Sequence, residues 1–568
     1  MPLSAVRAGM TGYGLTVLHG TAIERFDVKI LGVLHGGPTD LVLFRAGGRA
    51  IREAGGNAAG MSGSPIYIGG RMLGALSFGY QFPGPDADLS LATPIDVMLK
   101  VLGGSPAAAS APPPPQMYRA DRPIPTWTGR IARVLVMDSP VDAAAYNAHP
   151  LPGLAAFSPA AVSLFASGVT PAGMQILSRA LRRYNVTPRV QAEGTEAFDA
   201  PPLQPGSALG VELVRGDTEV GGIGTVTYRR GNQILAFGHP MLNAGSASMM
   251  MTTAYIDTIV RSLDEPFKEG SIGALVGTIS QDRGVGIAGT VEQFPRTFGV
   301  RVKVRDADTG ATRSYGAQVM RRPDLAEALV PTAALSLIQR AMDMVSGGSA
   351  KVKITLRARD LPEEVVREDL AYDIGDIATA AALDVPGATQ LLFGNFFQSL
   401  DPIDMTLDIT VSNRPNTAVL VAAHPSTREV HPGDTVHVAV ALRPYGASAD
   451  VNRIVQFTVP RDFPPGPAFL LVGTVGTLNN GTGAPPAQVF QTLVAQEGTP
   501  SGAASLEEAI AQFEEAGKNT EVLVELVPEA VLTAVGSNAN PDIESPAGTT
   551  LPSQWVVLGK FQIPVTVR

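Results

Sequence analysis

A mainly β chain built from several domains is what this sequence predicts, on three observations. Its 568 residues exceed what one hydrophobic core organises, because cores stop growing beyond about 250–300 residues. Its 61 glycines and 46 prolines are about a fifth of the chain, well above ordinary usage, and they punctuate turns. Between those turns lie short runs rich in β-branched residues, such as "FDVKILGVL", "DLVLFRA" and "FGVRVKV", with the length and bounds of strands.

Taken in order, residues 1–103 alternate strands and turns. "SPIYIGGRMLGALSFGY" reads as a hairpin turning at Gly69-Gly70. "TPIDVMLKVL" reads as a short closing helix with Thr93 as N-cap and Pro94 at its first position. Residues 104–205 are expected to be a linker followed by a small helical bridging segment. The linker has polyproline character at Pro112 to Pro115. The helix is "PAGMQILSRALRRYN", amphipathic through Met174, Ile176, Leu177 and Leu181.

Strand patterns return over 206–347, with a second hairpin at Arg230-Gly231-Asn232. The helix that closes this block contains Pro331, which predicts two helices or one kinked helix. An α/β connecting region follows over 348–417, with strands "KVKITLRA" and "MTLDITVSN" around the helical "IGDIATAAAL". Residues 418–475 have the alternation and spacing of an immunoglobulin-like sandwich. A C-terminal α+β segment, 476–568, ends the chain.

Composition narrows the function. A net charge of −9 argues against a nucleic-acid partner, which needs a basic face. With no cysteine, thiol nucleophiles, disulfides and zinc–thiolate sites are excluded. No metal-ligand spacing and no phosphate-binding loop stand out, so no cofactor or metal is expected. No run of about 18 apolar residues is present to span a membrane, and the first residues lack the apolar core of a signal peptide.

The stretch "GGNAAGMSGSPIYIGGRMLGALS" carries the candidate chemistry. A nucleophilic serine needs a tight turn that presents its hydroxyl, with backbone N–H groups aimed at a developing oxyanion. Gly60 and Gly63 flank Ser62 and let the backbone come close to a substrate carbonyl. In a chymotrypsin-like loop the amides of Gly60 and Ser62 would form the oxyanion hole. Ser64 is the rival nucleophile, disfavoured because Pro65 removes the next N–H. The plain alternative is a Gly/Ser hairpin entry without chemistry.

A serine also needs a base. Of seven histidines, His239 stands apart. It ends an apolar strand in "ILAFGHPMLNAG", fixed between Gly238 and Pro240.

The chain resembles the SpoIVB serine peptidase family through these motifs. The matching residues are "ERFDVKILGVL" and "GGNAAGMSGSPIYIGGRMLGALS" in the first block. In the second they are "GIGTVTYRRGNQILAFGHPM" and "GTISQDRGVGIAGTV". The resemblance implies a chymotrypsin-like double β-barrel in two blocks, with Ser62 as nucleophile and His239 as base. The two blocks stand in inverted order here, and Gly47 occupies the place of the family's aspartate. Asp282 and Asp257 are then candidates to orient His239, beside a backbone carbonyl or a Ser–His dyad.

The resulting expectation is a serine endopeptidase in the bacterial cell envelope or periplasm that cleaves a protein or peptide, with this chain itself as one candidate substrate. The alternative is a catalytically impaired scaffold that binds an envelope protein through its C-terminal sandwich.

Overall fold

The computed structural model describes all residues except 82–83, 104–114, 160–163, 185, 192–197, 262–265, 343–345, 475–484, 496–502, 516 and 531–547. Pro112 to Pro114 of the polyproline stretch thus lie outside the described residues. The chain is mainly β, in several sheets. It divides into two compact units: Met1–Thr297 with Gln318–Leu325, and Phe298–Ala317 with Ala326–Arg568.

In the first unit, six antiparallel strands close into a hydrogen-bonded ring. Around the ring run Thr11–Val17, Pro65–Ile68, Arg71–Tyr80, Leu89–Pro94, Leu41–Gly47 and Ile23–His35, and the last pairs back onto the first. The hairpin at Gly69-Gly70 forms as its sequence predicts, with both glycines at positive φ. Phe26, Val28, Ile30, Val42, Phe44, Met61, Ile66 and Leu76 fill one core of this half. Met61, between the two turn glycines, therefore anchors the serine loop by burial.

A second six-stranded antiparallel ring follows. It consists of Glu219–Arg230, Gln233–Ala236, Gly286–Val291, Phe267–Arg283, Gly245–Val260 and Ala208–Gly216, and again the last pairs with the first. Its hairpin turns at Gly231-Asn232. A closed ring leaves no unpaired edge, which removes the usual liability of an isolated sheet.

The bridging segment is more strand-rich than its sequence predicts. Gln116–Pro125, Arg130–Val136 and Leu154–Pro159 extend the first sheet, and Leu164–Ser167 and Arg189–Val190 extend the second. Prolines and arginines in "QMYRADRPIP" masked that strand, because its partners bury only one face. The helix is where the periodicity placed it, Pro171–Leu181, with Thr170 Oγ1 accepting from the Gly173 amide and Ile176, Leu177 and Leu181 buried. Thr93 is not an N-cap. It lies within the strand Leu89–Pro94, and the short helix Ile95–Met98 starts after Pro94 with no side-chain cap.

In the second unit, Gly348–Ala358 lies between Val365–Asp373 and Pro402–Ser412, and Thr297–Asp306 adds in parallel to the latter. Pro331 does not divide its helix, which is continuous over Pro323–Met342. Beyond this sheet, two more pack on one apolar core. One holds Thr417–Pro425, Thr435–Pro444, Val451–Thr458 and Val556–Leu558. The other holds Glu429–Val430, Gly466–Gly473, Glu521–Pro528, Gly548–Pro552 and Phe561–Val567. The sandwich expected over 418–475 therefore also takes its strands from the C-terminal segment. Strict alternation in Thr435–Pro444 puts Val436, Val438, Val440 and Leu442 inward.

Candidate active site

The serine turn and the histidine turn meet in the interior of the first unit. Gly60 and Gly63 both take positive φ, 88° and 93°, which glycine adopts without steric cost. Gly63 has a second requirement. A Cβ there would lie 1.9 Å from Thr225 O and 2.5 Å from Phe237 N, so the serine turn presses directly on the second ring. Three hydrogen bonds fasten it. The Thr225 amide donates to Ser62 O at 2.9 Å. Thr225 Oγ1 donates to Gly60 O at 3.0 Å, and Thr227 Oγ1 donates to Gly63 O at 2.8 Å. Thr225 and Thr227 are two apart on one strand, so both hydroxyls fall on the same face.

The turn's peptide planes are fixed as well. The Ala59 carbonyl accepts the Lys268 amide at 2.9 Å. The carbonyl and N–H of one trans peptide point in opposite directions, so the Gly60 N–H points away from Lys268. The Met61 carbonyl accepts both the Ser64 amide at 3.0 Å and Ser64 Oγ at 2.6 Å, which turns the Ser62 N–H away from Ser64. Among the described residues, the Gly60 and Ser62 amides donate to no carbonyl, whereas those of Met61, Gly63 and Ser64 do. Ser64 is thus a structural strut of the turn.

Ser62 is fully buried, and its Oγ has no hydrogen-bond partner among the described residues. A buried hydroxyl without a partner costs about 1–3 kcal/mol and needs an explanation.

His239 is also buried, at 1% exposure. Phe237, two residues earlier, has φ 71°, a strained conformation for a bulky side chain and one that clusters at functional sites. Gly238 packs against Ser77 and Ala75 of the first ring, and its carbonyl accepts Thr93 Oγ1 at 2.7 Å. The imidazole lies between Phe78 and Phe237, with ring centroids 6.3 Å and 6.0 Å away. Its Nδ1 is 2.7 Å from Pro240 O, so a backbone carbonyl is the group set against that nitrogen.

The candidate acids have other partners. Asp282 is buried, and its carboxylate accepts the amides of Met241 and Leu242 at 2.8 Å and of Ala244 at 3.1 Å. It braces the loop that follows His239. Burial pushes its carboxyl up, against the pull of the three amides. Asp257 is exposed, accepting from Ser271 Oγ through its carboxylate and lying against His19 Nδ1 through its carbonyl. Gly47 sits at the N-cap of the helix Gly48–Ala54.

One group in this seam has no counterpart in the sequence reading. Lys268 is 1% exposed. Its Nζ donates to Thr16 Oγ1 at 2.8 Å and to Thr225 Oγ1 at 3.4 Å. Burial holds its ammonium pKa down, to about 7. The sequence "FKEGS" reads as an exposed, charged strand start, since no apolar alternation marks Lys268 as inward. The paired threonines in "GTVTY" were the available signal, two hydroxyls on one face of an apolar strand.

No family model, curated protein or solved structure matches this chain.

Proposed function

We propose that the chain is a serine endopeptidase resembling the SpoIVB family, with acyl-enzyme chemistry at Ser62 and His239 as its base. The observation that carries this reading is the Ser62 hydroxyl itself. It is buried without a hydrogen-bond partner, in a turn whose Gly60 and Ser62 amides are aimed by their neighbouring carbonyls and are not spent on the turn. That is the arrangement an oxyanion hole needs before substrate arrives. Two closed six-stranded rings with the serine on one and the histidine on the other favour the chymotrypsin-like double barrel in inverted order, since such sites are defined by geometry and not by chain order. Asp282 acts here as a brace for the histidine loop, and the Pro240 carbonyl orients the ring. The substrate is a protein or peptide in the cell envelope, and the C-terminal sandwich, read as immunoglobulin-like, spaces or docks the peptidase.

In this state the site is closed, because Ser62 is inaccessible and its Oγ makes no hydrogen bond to His239. Attack therefore requires the seam to open. The same observation favours a second reading, a scaffold that keeps the rings and has lost turnover. A fluorophosphonate probe separates the two, with the modified residue located by peptide mass spectrometry. The peptidase reading expects labelling of Ser62 in the wild type, none in Ser62→Ala, and a rate at least a thousandfold lower in His239→Ala, in the range of losses known for serine–histidine pairs (~10³–10⁶). A wild type that stays unlabelled at every pH, or a Ser62→Ala variant that still labels, overturns it.

A further inference from the structure

A lysine enclosed by protein is costly, because desolvation penalises its charge and its amine still needs partners. Lys268 is enclosed in this way beneath the serine turn. Its aliphatic stem runs along Gly60, where an added Cβ would be 3.2 Å from both Lys268 Cβ and Cδ. Its own amide holds the Ala59 carbonyl, and its Nζ reaches Thr225 Oγ1. That hydroxyl spends its single proton on the Gly60 carbonyl, so toward Lys268 it acts as acceptor. Lys268 therefore grips the turn twice: once through its amide on Ala59, and once through Thr225 on Gly60. The first fixes the peptide plane that carries the Gly60 N–H, and the second fixes the Gly60–Met61 plane that lies between the Gly60 and Ser62 amides.

Among the described residues, the groups that meet Nζ are neutral hydroxyls. The strand Thr11–Val17 presents Thr16, the strand Glu219–Arg230 presents Thr225 with Ile223 beside the turn, and Gly245–Val260 pairs through Ile259. Burial holds the ammonium pKa of Lys268 down. A residue kept for folding alone would be replaced without loss by an apolar side chain of the same length.

We propose that Lys268 is a positioning residue for Ser62 chemistry: through Thr225 it holds the Gly60 carbonyl and sets the direction of the Gly60 and Ser62 amides. The proposal rests on the serine-peptidase reading for what the turn does, and on the hydrogen bonds alone for how the turn is held. The protonation of Lys268 changes the polarity of the Nζ–Thr225–Gly60 chain, so the turn carries a titration that belongs to a residue outside it.

The test uses the full chain as wild type, Lys268→Met and Thr225→Val. Fluorophosphonate labelling of Ser62 is followed from pH 5 to 9, and the Gly60 amide is followed by NMR with Ala–Gly pair labelling. The expected result is at least a tenfold slower labelling in either variant, with no further loss when the two are combined, because both cut one chain. An inflection near pH 7 is expected in the Gly60 amide shift of the wild type, and is expected to be absent from that shift in Lys268→Met, whereas the labelling rate keeps the inflection of its histidine base in both. Wild-type labelling rates in Lys268→Met overturn the proposal. So does a Gly60 amide that does not titrate in the wild type, or that titrates identically in Lys268→Met. A wild type that never labels sinks the peptidase reading, and the Gly60 titration then still decides whether Lys268 holds the turn.

Discussion

The core of the C-terminal sandwich and the seam around Ser62 are both shielded from water, yet they are filled by different kinds of side chain. In the sandwich, Leu420, Val438, Val440, Phe457, Leu470, Val524 and Ile563 make an apolar core, with Thr417 and Glu525 buried on the same strands. Every one of the apolar side chains gains by burial, about 1.5–3 kcal/mol each. In the seam, the buried groups are Ser62, Thr16, Thr225, Thr227, His239, Lys268 and Asp282. Burying such groups gains little and is costly wherever a partner is missing. On the peptidase reading, that cost is borne for the chemistry at Ser62. The sandwich is built to hold its shape, and the seam to hold a geometry.

The largest expected effect breaks the stable side of this comparison. Phe457 is at 1% exposure in the sandwich core. Phe457→Ala removes a buried ring and leaves a cavity, at a cost of about 3–5 kcal/mol. Denaturant melts should show that loss as a lower midpoint. Labelling of Ser62 should be unchanged, because Phe457 packs in the sandwich core of the second unit and Ser62 belongs to the first. Loss of labelling without a loss of stability would show that the two interiors do not divide their roles as described.

The same division explains what could be read from sequence. The sandwich strands were legible because alternation of valine with polar residues in "TVHVAVALRP" reflects one buried face. Its closing strands were not, because Phe561–Val567 and Val556–Leu558 lie far down the chain, and pairing between distant segments leaves no local mark. In the first unit, Ser62 and His239 stood out because Gly60, Gly63, Gly238 and Pro240 shape their turns. Asp282 looked like an acid for catalysis, since a carboxylate beside glycines is equally what a loop brace requires. Lys268 was invisible for a stronger reason. Periodicity assigns a lysine to the surface, and only the folded contacts with Ala59, Thr16 and Thr225 show it turned inward. Residues that serve a site against their own solvation preference are the ones that sequence patterning misplaces.

A middle-sized effect tests whether Asp282 belongs to the chemistry or to the frame. Asp282→Ala leaves the amides of Met241, Leu242 and Ala244 without their acceptor. Losing acceptors for buried amides should destabilise by on the order of 3 kcal/mol. Asp282→Asn keeps one acceptor oxygen and should recover more than half of that. If Asp282 is a brace, labelling of Ser62 in the two variants follows their stability, with the asparagine close to wild type. An asparagine variant that is stable yet slowed a thousandfold would instead make Asp282 the partner of the imidazole, as loss of the triad acid does elsewhere (~10⁴).

The smallest effect is also the one with its sign fixed most narrowly. Lys268 has a folded pKa of about 7, well below the ~10.4 of a lysine in an unfolded chain. Between those two values the unfolded state binds more protons than the folded state, so stability rises with pH across the window. Below pH 7 both states carry the proton and the burial penalty is present in full; above about 10.4 both have lost it, and the penalty is gone. Lys268→Met, which fills the same space without a charge, should therefore be more stable than wild type by at least ~1 kcal/mol at pH 6. The advantage should shrink steadily as the pH is raised from 7 to 10. Paired melts of the two proteins at pH 6, 8 and 10 read the difference directly. A methionine variant less stable than wild type at pH 6 would mean that the ammonium is stabilised where it lies, and the seam would then be a framework of the same kind as the sandwich core. A more stable variant that labels slowly would locate in one side chain the trade between a well-packed interior and an aimed one.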